Sequence, residues 1–342
     1  MVFVIAEAGV NHNGDENLAL ELCDIAKRSG ADAVKFQTFT AEELVVENAE
    51  KAEYQKESTG KGSQLDMLKK LEMSPELHLK LIQKCSEIGI EFMSTAFDKE
   101  ALDFLISHGM KRIKIPSGEI TNTPFLRYIA SRGLPIIMST GMATLEEIVE
   151  AKGVIEEERA RLGFCEELSD VLTILHCTSN YPAKFQDVNL NALETIAQET
   201  QVPVGYSDHT LGIAISPAAV AKGAVVIEKH FSKSRELPGP DHRASLEENE
   251  LRDMVSQIRA VSEALGSNIK QPTESELPVR ALVRRSVTLL RDIAEGDVLT
   301  EADYSLKRPG TGIQPKELDE LQGKKAATNL KKSQILQWKD VV

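Results

Sequence analysis

The ionisable residues of this chain fall at the ends of short apolar runs, and their types suggest metal and anion chemistry. His209 lies near the end of VPVGYSDHT (202–210) and His230 near the end of AVVIEKHFS (224–232). Two imidazoles at the ends of successive strands make a partial metal site. No cysteine stands beside them and oxygen donors are abundant, so the expected ion is divalent, with Mn²⁺ first and Mg²⁺ or Co²⁺ as alternatives to structural zinc. Lys35 in DAVKFQT (32–38) and Lys114 in RIKIPSGE (112–119) sit among apolar neighbours, where an ammonium is costly unless an anion meets it. Thr95, Ser117, Ser139 and Ser207 add short hydroxyl donors, which together fit a phosphate or carboxylate. The alternative is an internal network of these lysines with Glu7, Glu119 or Glu228. A lysine Schiff base needs no metal, and the two histidines count against it. Glu7 and Glu119 are candidate proton handlers, because a carboxylate near metal-bound water can take its proton. Glu228 precedes His230 by one strand period and is placed to share its face. His78 and His108 fall in helical stretches and are expected to face solvent. His176 is expected as a hydrogen-bonded core residue, and His12 and His242 lie on loops at the rim. Cys177 has no base arranged beside it.

The elements that must position these residues are regular. Eight apolar runs occupy 2–9, 32–38, 91–97, 112–119, 134–141, 171–182, 202–210 and 224–232, with amphipathic stretches such as 17–30, 75–89, 215–224 and 246–267 between or after them. Alternating strands and helices predict a parallel sheet, and eight repeats predict an α/β (β/α)₈ TIM barrel whose C-terminal rim gathers the strand ends. Residues 39–74 are too long for a simple connection and read as a functional insertion near that rim. The expected organisation is a catalytic barrel over 1–267, a polar linker over 268–282 and a small domain over 283–342. The last is small enough that it is expected to bury little core alone and to dock on a partner surface.

The 342 residues carry a net charge of −13, which argues against nucleic acid or an anionic membrane as partner. No apolar run approaches the ~18 residues of a membrane span. Met1 leads into strand-like sequence, so no signal peptide is expected, and four cysteines without a CxxC spacing suggest reduced thiols in a cytoplasmic protein.

The segments AEAGVNHNG (6–14), VKFQT (34–38), KIPSGE (114–119), STGM (139–142), HCTSNYP (176–182), GYSDHT (205–210), EKHF (228–231), PGPDH (238–242) and KRPGTG (307–312) together resemble the sialic acid synthases. The resemblance spans essentially the whole chain and implies a TIM barrel followed by an antifreeze-like (SAF) domain. It implies that His209 and His230 bind the metal, and that Lys35, Thr95, Lys114, Ser117, Ser139 and Ser207 hold phosphoenolpyruvate. Glu7 and Glu119 would lie beside the metal, its water and the sugar, while Ser179, Tyr181 and Asp241 would contact the acceptor, an N-acylated amino sugar. Arg308 would reach the acyl group from the partner subunit in a domain-swapped homodimer. Ala96, Ser179 and Thr311 depart from residues common in relatives, and ALVRRS (281–286) lacks an aromatic that some members use against the sugar.

The activity this implies is N-acetylneuraminate synthase, condensing phosphoenolpyruvate with N-acetylmannosamine. C3 of phosphoenolpyruvate attacks the metal-polarised aldehyde, water adds at C2, and phosphate leaves by C–O cleavage. The alternative is N,N'-diacetyllegionaminate synthase, using 2,4-diacetamido-2,4,6-trideoxymannose, with pseudaminic acid synthase a third. An amidohydrolase barrel would show His-x-His where this chain has Glu7. A non-catalytic sugar-binding protein leaves the metal and anion groups unexplained.

Overall fold

The computed structural model describes residues 1–342. Its main sheet contains β1 Phe3–Gly9, β2 Ala33–Thr38, β3 Glu91–Ala96, β4 Ile113–Ile115, β5 Ile136–Ser139, β6 Leu172–Cys177, β7 Val204–Asp208 and β8 Val226–His230. All pairings are parallel, in the order β3-β2-β1-β8-β7-β6-β5-β4. This is the near-closed α/β TIM-like barrel, with β3 and β4 at the two ends of the ladder. β4 is shorter than the run 112–119 suggested. Pro116 has no N–H for a ladder, and Ser117–Glu119 wind into a 3₁₀ turn.

Strand alternation explains how one chain builds both floor and site. Ile5, Ala33, Met93, Ile137, Leu175 and Val226 form a buried apolar layer inside the barrel. Two residues further along the same strands stand Glu7, Lys35, Thr95, Ser139, Cys177 and Glu228, a polar layer on top of that floor. The intervening residues, among them Val4, Ala6, Val34, Phe36, Met138, Ile174 and Tyr206, belong to the outer core packed under the helices. Gly205 has a packing reason: a Cβ there would lie 2.5 Å from both the Leu175 side chain and the Val226 carbonyl oxygen.

The helices start and stop where local chemistry dictates. Asp15 accepts the Leu18 N–H at 2.9 Å and opens helix Glu16–Arg28, whose Ala19, Leu22, Cys23, Ile25 and Ala26 are buried. Ser74 caps helix Pro75–Ile88, with Pro75 in the first turn, and left-handed Gly89 (φ 70°) closes it. His78 on this helix is buried rather than solvent-facing. Its Nδ1 lies 2.9 Å from the Ser74 carbonyl and its Nε2 2.8 Å from the Thr38 hydroxyl, partners that make its burial tolerable. His108 is exposed, and His176 Nε2 bonds the Val188 carbonyl at 2.7 Å.

The segment between β2 and β3 folds into helices Ala41–Leu44, Glu53–Thr59 and Gln64–Lys69. Val10, Phe39, Met67 and Leu71 form a separate apolar cluster that fastens it to the barrel.

The chain divides into two compact units, Met1–Gly266 and Ser267–Val342. In the second, β9 Ser286–Leu289 and β10 Tyr304–Lys307 pair antiparallel. Contrary to the expectation of little core, Val287, Leu289, Ile293, Leu299, Ile313, Leu321, Leu330 and Leu336 are buried together. Part of the presumed linker is also ordered, as helix Glu276–Val283. No helix is long and apolar enough to cross a membrane.

Candidate active site

A cavity of about 380 Å³ opens at the C-terminal ends of the barrel strands. Register builds its charged floor: Glu7 on β1 is level with Lys35 on β2 and with His230 on β8, and Ser207 on β7 is level with Glu228 and Cys177. Glu7, Lys35, Thr95, Lys114, Ser117, Ser139, Ser179, Tyr181, Ser207, His209, Glu228 and His230 all line the cavity. Three sequence candidates, Glu119, Asp241 and Arg308, do not line the cavity. Glu119 turns to Asn122, whose Nδ2 donates to it at 2.6 Å. Asp241 is buried just beyond β8, and Arg308 is exposed in the second unit, after β10.

Both proposed uses of the lysines meet in one arrangement. Lys35 Nζ lies 2.8 Å from Glu7 and 3.6 Å from Glu228, and donates to Thr95 Oγ1 at 3.0 Å. Lys114 Nζ lies 3.7 Å from Glu228 and donates to Ser139 Oγ at 2.7 Å. Ser207 donates to Glu228 at 2.9 Å. Burial works against every one of these charges. For Lys35 the Glu228 and Glu7 carboxylates outweigh burial and hold its pKa above the ordinary value, whereas burial prevails at Lys114 and lowers it. Burial raises Glu7 to about 7 against the pull of Lys35, while at Glu228 the two ammoniums overcome burial and hold it at about 2. One carboxylate is therefore fixed as an anion. The other is pushed by burial toward its protonated form.

The ring centroids of His209 and His230 are 5.9 Å apart. His209 Nδ1 lies 2.7 Å from the Thr178 carbonyl, so that nitrogen carries the proton and Nε2 keeps its lone pair, with the Ser207 hydroxyl 3.3 Å away. His230 Nδ1 is buried with no hydrogen-bond partner. Burial pulls His209 down to about 4 and His230 well below the usual histidine value, keeping both imidazoles neutral. Two neutral imidazoles side by side could hold a divalent ion. No group of three or more His, Cys, Asp or Glu is arranged to hold one. Gly9 (φ 52°) makes the approach possible, since a Cβ there would lie 3.2 Å from the His230 ring and 3.3 Å from the Glu7 carboxylate.

Sequence reasoning missed the wall supplied by the insertion. Ala52, Tyr54, Gln55 and Gln64 line the cavity together with Phe97 and Met142. Ala52, Tyr54, Gln55 and Gln64 fall at no strand end, and only the unusual length of 39–74 hinted at them; Phe97 directly follows β3 and Met142 lies in the STGM segment after β5. Asp241 does not line the cavity, but its buried carboxyl, raised to about 6 by burial, lies near Tyr54 and Tyr181. Burial first, and then the Asp241 charge, raise the hydroxyl pKa of both Tyr54 and Tyr181.

The NeuB family model matches residues 22–270, and the SAF domain model matches 284–342. The chain belongs to the NeuB family. It is thus a phosphoenolpyruvate-dependent nonulosonic acid synthase, a transferase, with a barrel and a C-terminal SAF domain. N,N'-diacetyllegionaminic acid synthase of Legionella pneumophila is 53% identical over 340 residues, covering 99% of this chain and 94% of that protein. The Campylobacter jejuni protein of the same name is 46% identical, covering 97% of this chain and 98% of its own. The crystal structure of N-acetylneuraminic acid (sialic acid) synthetase from Leptospira borgpetersenii superposes with a TM-score of 0.71 at 36% identity, covering 81% of this chain and 90% of that one. NeuB-family enzymes are generally metal-dependent. In this synthase the neutral histidine pair is the group suited to that role.

Proposed function

We propose that this synthase condenses phosphoenolpyruvate with 2,4-diacetamido-2,4,6-trideoxymannose to give N,N'-diacetyllegionaminate and phosphate. The observation that carries the reading is the division of the cavity. Its floor holds the charges of Lys35, Lys114, Glu7 and Glu228, whereas the wall of Tyr54, Gln55, Gln64, Phe97 and Met142 holds none. An uncharged wall of aromatic, amide and thioether groups suits a second acetamido group and a C6 methyl. It offers no cation to a phosphorylated sugar. The 53% and 46% identities to legionaminic acid synthases, against 36% to a sialic acid synthetase, favour this acceptor over N-acetylmannosamine, which the motifs alone put first.

In this reading Lys35 and Lys114, with Thr95, Ser117, Ser139 and Ser207, hold the phosphate and carboxylate of phosphoenolpyruvate. His209 and His230 hold a divalent ion, Mn²⁺ first, which when bound supplies Lewis-acid polarisation of the acceptor aldehyde. Glu7 accepts a proton from the water that adds at C2, since its raised pKa keeps it basic enough near pH 7. Glu228 stays ionised between the lysines and keeps both ammoniums oriented. Ser179 and Tyr181, with Asp241 beyond them, bound the acceptor side, while Glu119 accepts from Asn122 and does not line the cavity. Arg308 of the partner subunit, in a domain-swapped homodimer, completes the proposal, and the four unpaired cysteines agree with a cytoplasmic location.

Phosphate release measured with each acceptor tests the reading. The expected result is a higher kcat/KM for the diacetamido sugar. A higher value for N-acetylmannosamine, or no release with either, overturns it.

A further inference from the structure

The insertion between β2 and β3 carries an aromatic ring into the cavity, and that ring is part of a continuous stack. The Tyr181 and His209 ring centroids are 4.1 Å apart, with planes tilted by 33°. Tyr54 continues the series on Tyr181, at 5.3 Å and again 33°. Tyr181 also meets His230 edge-on at 5.6 Å. One end of the stack therefore lies at the histidine pair, and the other lies on helix Glu53–Thr59.

That helix is fastened rather than loose. The buried Lys51 donates to Thr59 Oγ1 at 3.0 Å and to the Gly60 carbonyl at 3.2 Å, tying the segment before the helix to its far end. Gln55 accepts the Ala52 N–H at 3.0 Å, and Ser58 donates to the Tyr54 carbonyl at 2.8 Å. These bonds hold the helix that carries Tyr54, and Gln55 Nε2 donates to the Tyr54 hydroxyl at 3.4 Å.

We propose that Tyr54 is a specificity-determining residue that packs against the end of the acceptor sugar farthest from its reacting aldehyde. The proposal rests on the acceptor reading above. With the aldehyde at the histidines, the rest of the sugar extends along the stack past Tyr181, and the groups on its outer carbons reach Tyr54. An aryl face there gains from covering an acyl methyl and a C6 methyl. It gains nothing from a hydroxyl or a charge, which would lose water without finding a partner. The insertion thereby selects the acceptor while the strand ends perform the reaction.

The test compares wild type, Tyr54→Ala and Tyr54→Phe with both the diacetamido sugar and N-acetylmannosamine, reading kcat/KM for each sugar, KM for phosphoenolpyruvate and bound metal. Tyr54→Ala is expected to reduce the wild-type preference between the sugars by about tenfold or more, the scale of losing apolar contact in a specificity pocket. KM for phosphoenolpyruvate and the metal content should stay near wild type, and Tyr54→Phe should keep the preference because it keeps the ring. An unchanged preference in Tyr54→Ala overturns the proposal, as does an equal loss for both sugars accompanied by weakened phosphoenolpyruvate or metal binding. Loss of the preference in Tyr54→Phe overturns the ring as its source. A wild type inactive with both sugars overturns the acceptor reading and this proposal with it, whereas an active wild type and an unaltered ratio overturn only the proposal.

Discussion

Lys229 and Asp208 form an ion pair at 3.0 Å with both side chains fully excluded from solvent, one residue before His230 and one before His209. The histidines face the cavity, and this pair faces the other way, between the strands and the helices. Asp208 also accepts from Thr210 N at 2.9 Å, Thr210 Oγ1 at 2.7 Å and Ser216 Oγ at 2.7 Å, while Lys229 donates to the Thr210 carbonyl at 2.7 Å. Every charge is matched. The pair locks the two strand ends whose next residues are the proposed metal ligands.

Breaking that lock leaves a buried charge without its counterpart. Lys229→Met is expected to destabilise the barrel by about 3–5 kcal/mol, the usual cost of removing one member of a buried pair. Urea denaturation measures it. A loss below about 1 kcal/mol would mean that water or a neighbour replaces the lysine and that the pair does not hold the strand ends.

Removing a metal ligand tests the histidine pair directly. His209→Ala and His230→Ala should each lower turnover by more than about a hundredfold, beyond what disturbing an outer partner of a ligand usually costs. EDTA should inactivate the wild type, and Mn²⁺ should restore it. Full activity after exhaustive chelation, with no metal found by elemental analysis, would sink the assignment.

The two buried lysines should separate the substrates. Lys35→Met and Lys114→Met are expected to raise KM for phosphoenolpyruvate by roughly 10–100-fold, the value of a charge-assisted contact of about 1.5–3 kcal/mol, with a much smaller effect on the sugar. If KM for phosphoenolpyruvate stays at the wild-type value in both, the lysines serve only the network with Glu7 and Glu228.

His12 and His242 should each cost stability on mild acidification, a term opposite in sign to that of Glu7 and Asp241, whose pKa values burial raises. His12 and His242 are both fully buried, and burial pulls each from 6.5 down to about 4. The folded state therefore resists a proton that the unfolded chain accepts. Their contribution is complete above about pH 6.5 and declines as pH falls toward 4, with a slope approaching about 1.4 kcal/mol per pH unit for each group. His12→Asn should flatten the fall of the denaturation midpoint between pH 6.5 and 5. Identical slopes in variant and wild type would show that His12 does not contribute.

The proposed domain exchange has its own signature. An Arg308→Ala protomer mixed with a His230→Ala protomer should regain activity, because one of the two mixed sites then carries neither lesion. Subunit exchange is followed separately by mass spectrometry of differently tagged chains. Mixtures proven to have exchanged but still inactive would rule the arrangement out.

The period of two in the apolar runs determined which residues share the barrel interior. Ile5 with Glu7, Ala33 with Lys35, Met93 with Thr95 and Val226 with Glu228 could be read as floor and site from sequence alone, because side chains alternate along any strand. The ends of neighbouring strands meet at a barrel rim, so His209 and His230 could also be paired in advance. Three things were decided only by the folded chain. Tyr54 enters the cavity from a helical insertion, where no strand period marks an inward position. His78 is buried with Ser74, four residues back, and Thr38, forty residues back, satisfying its two ring nitrogens, and the Thr38 match is one that helical periodicity does not encode. Glu119 stands an odd number of residues after Lys114, on the opposite strand parity, and the 3₁₀ turn after Pro116 brings Ser117 to the cavity while Glu119 accepts from Asn122. Local repetition specifies direction along a strand; which residues meet across turns and insertions depends on how the whole barrel closes around them.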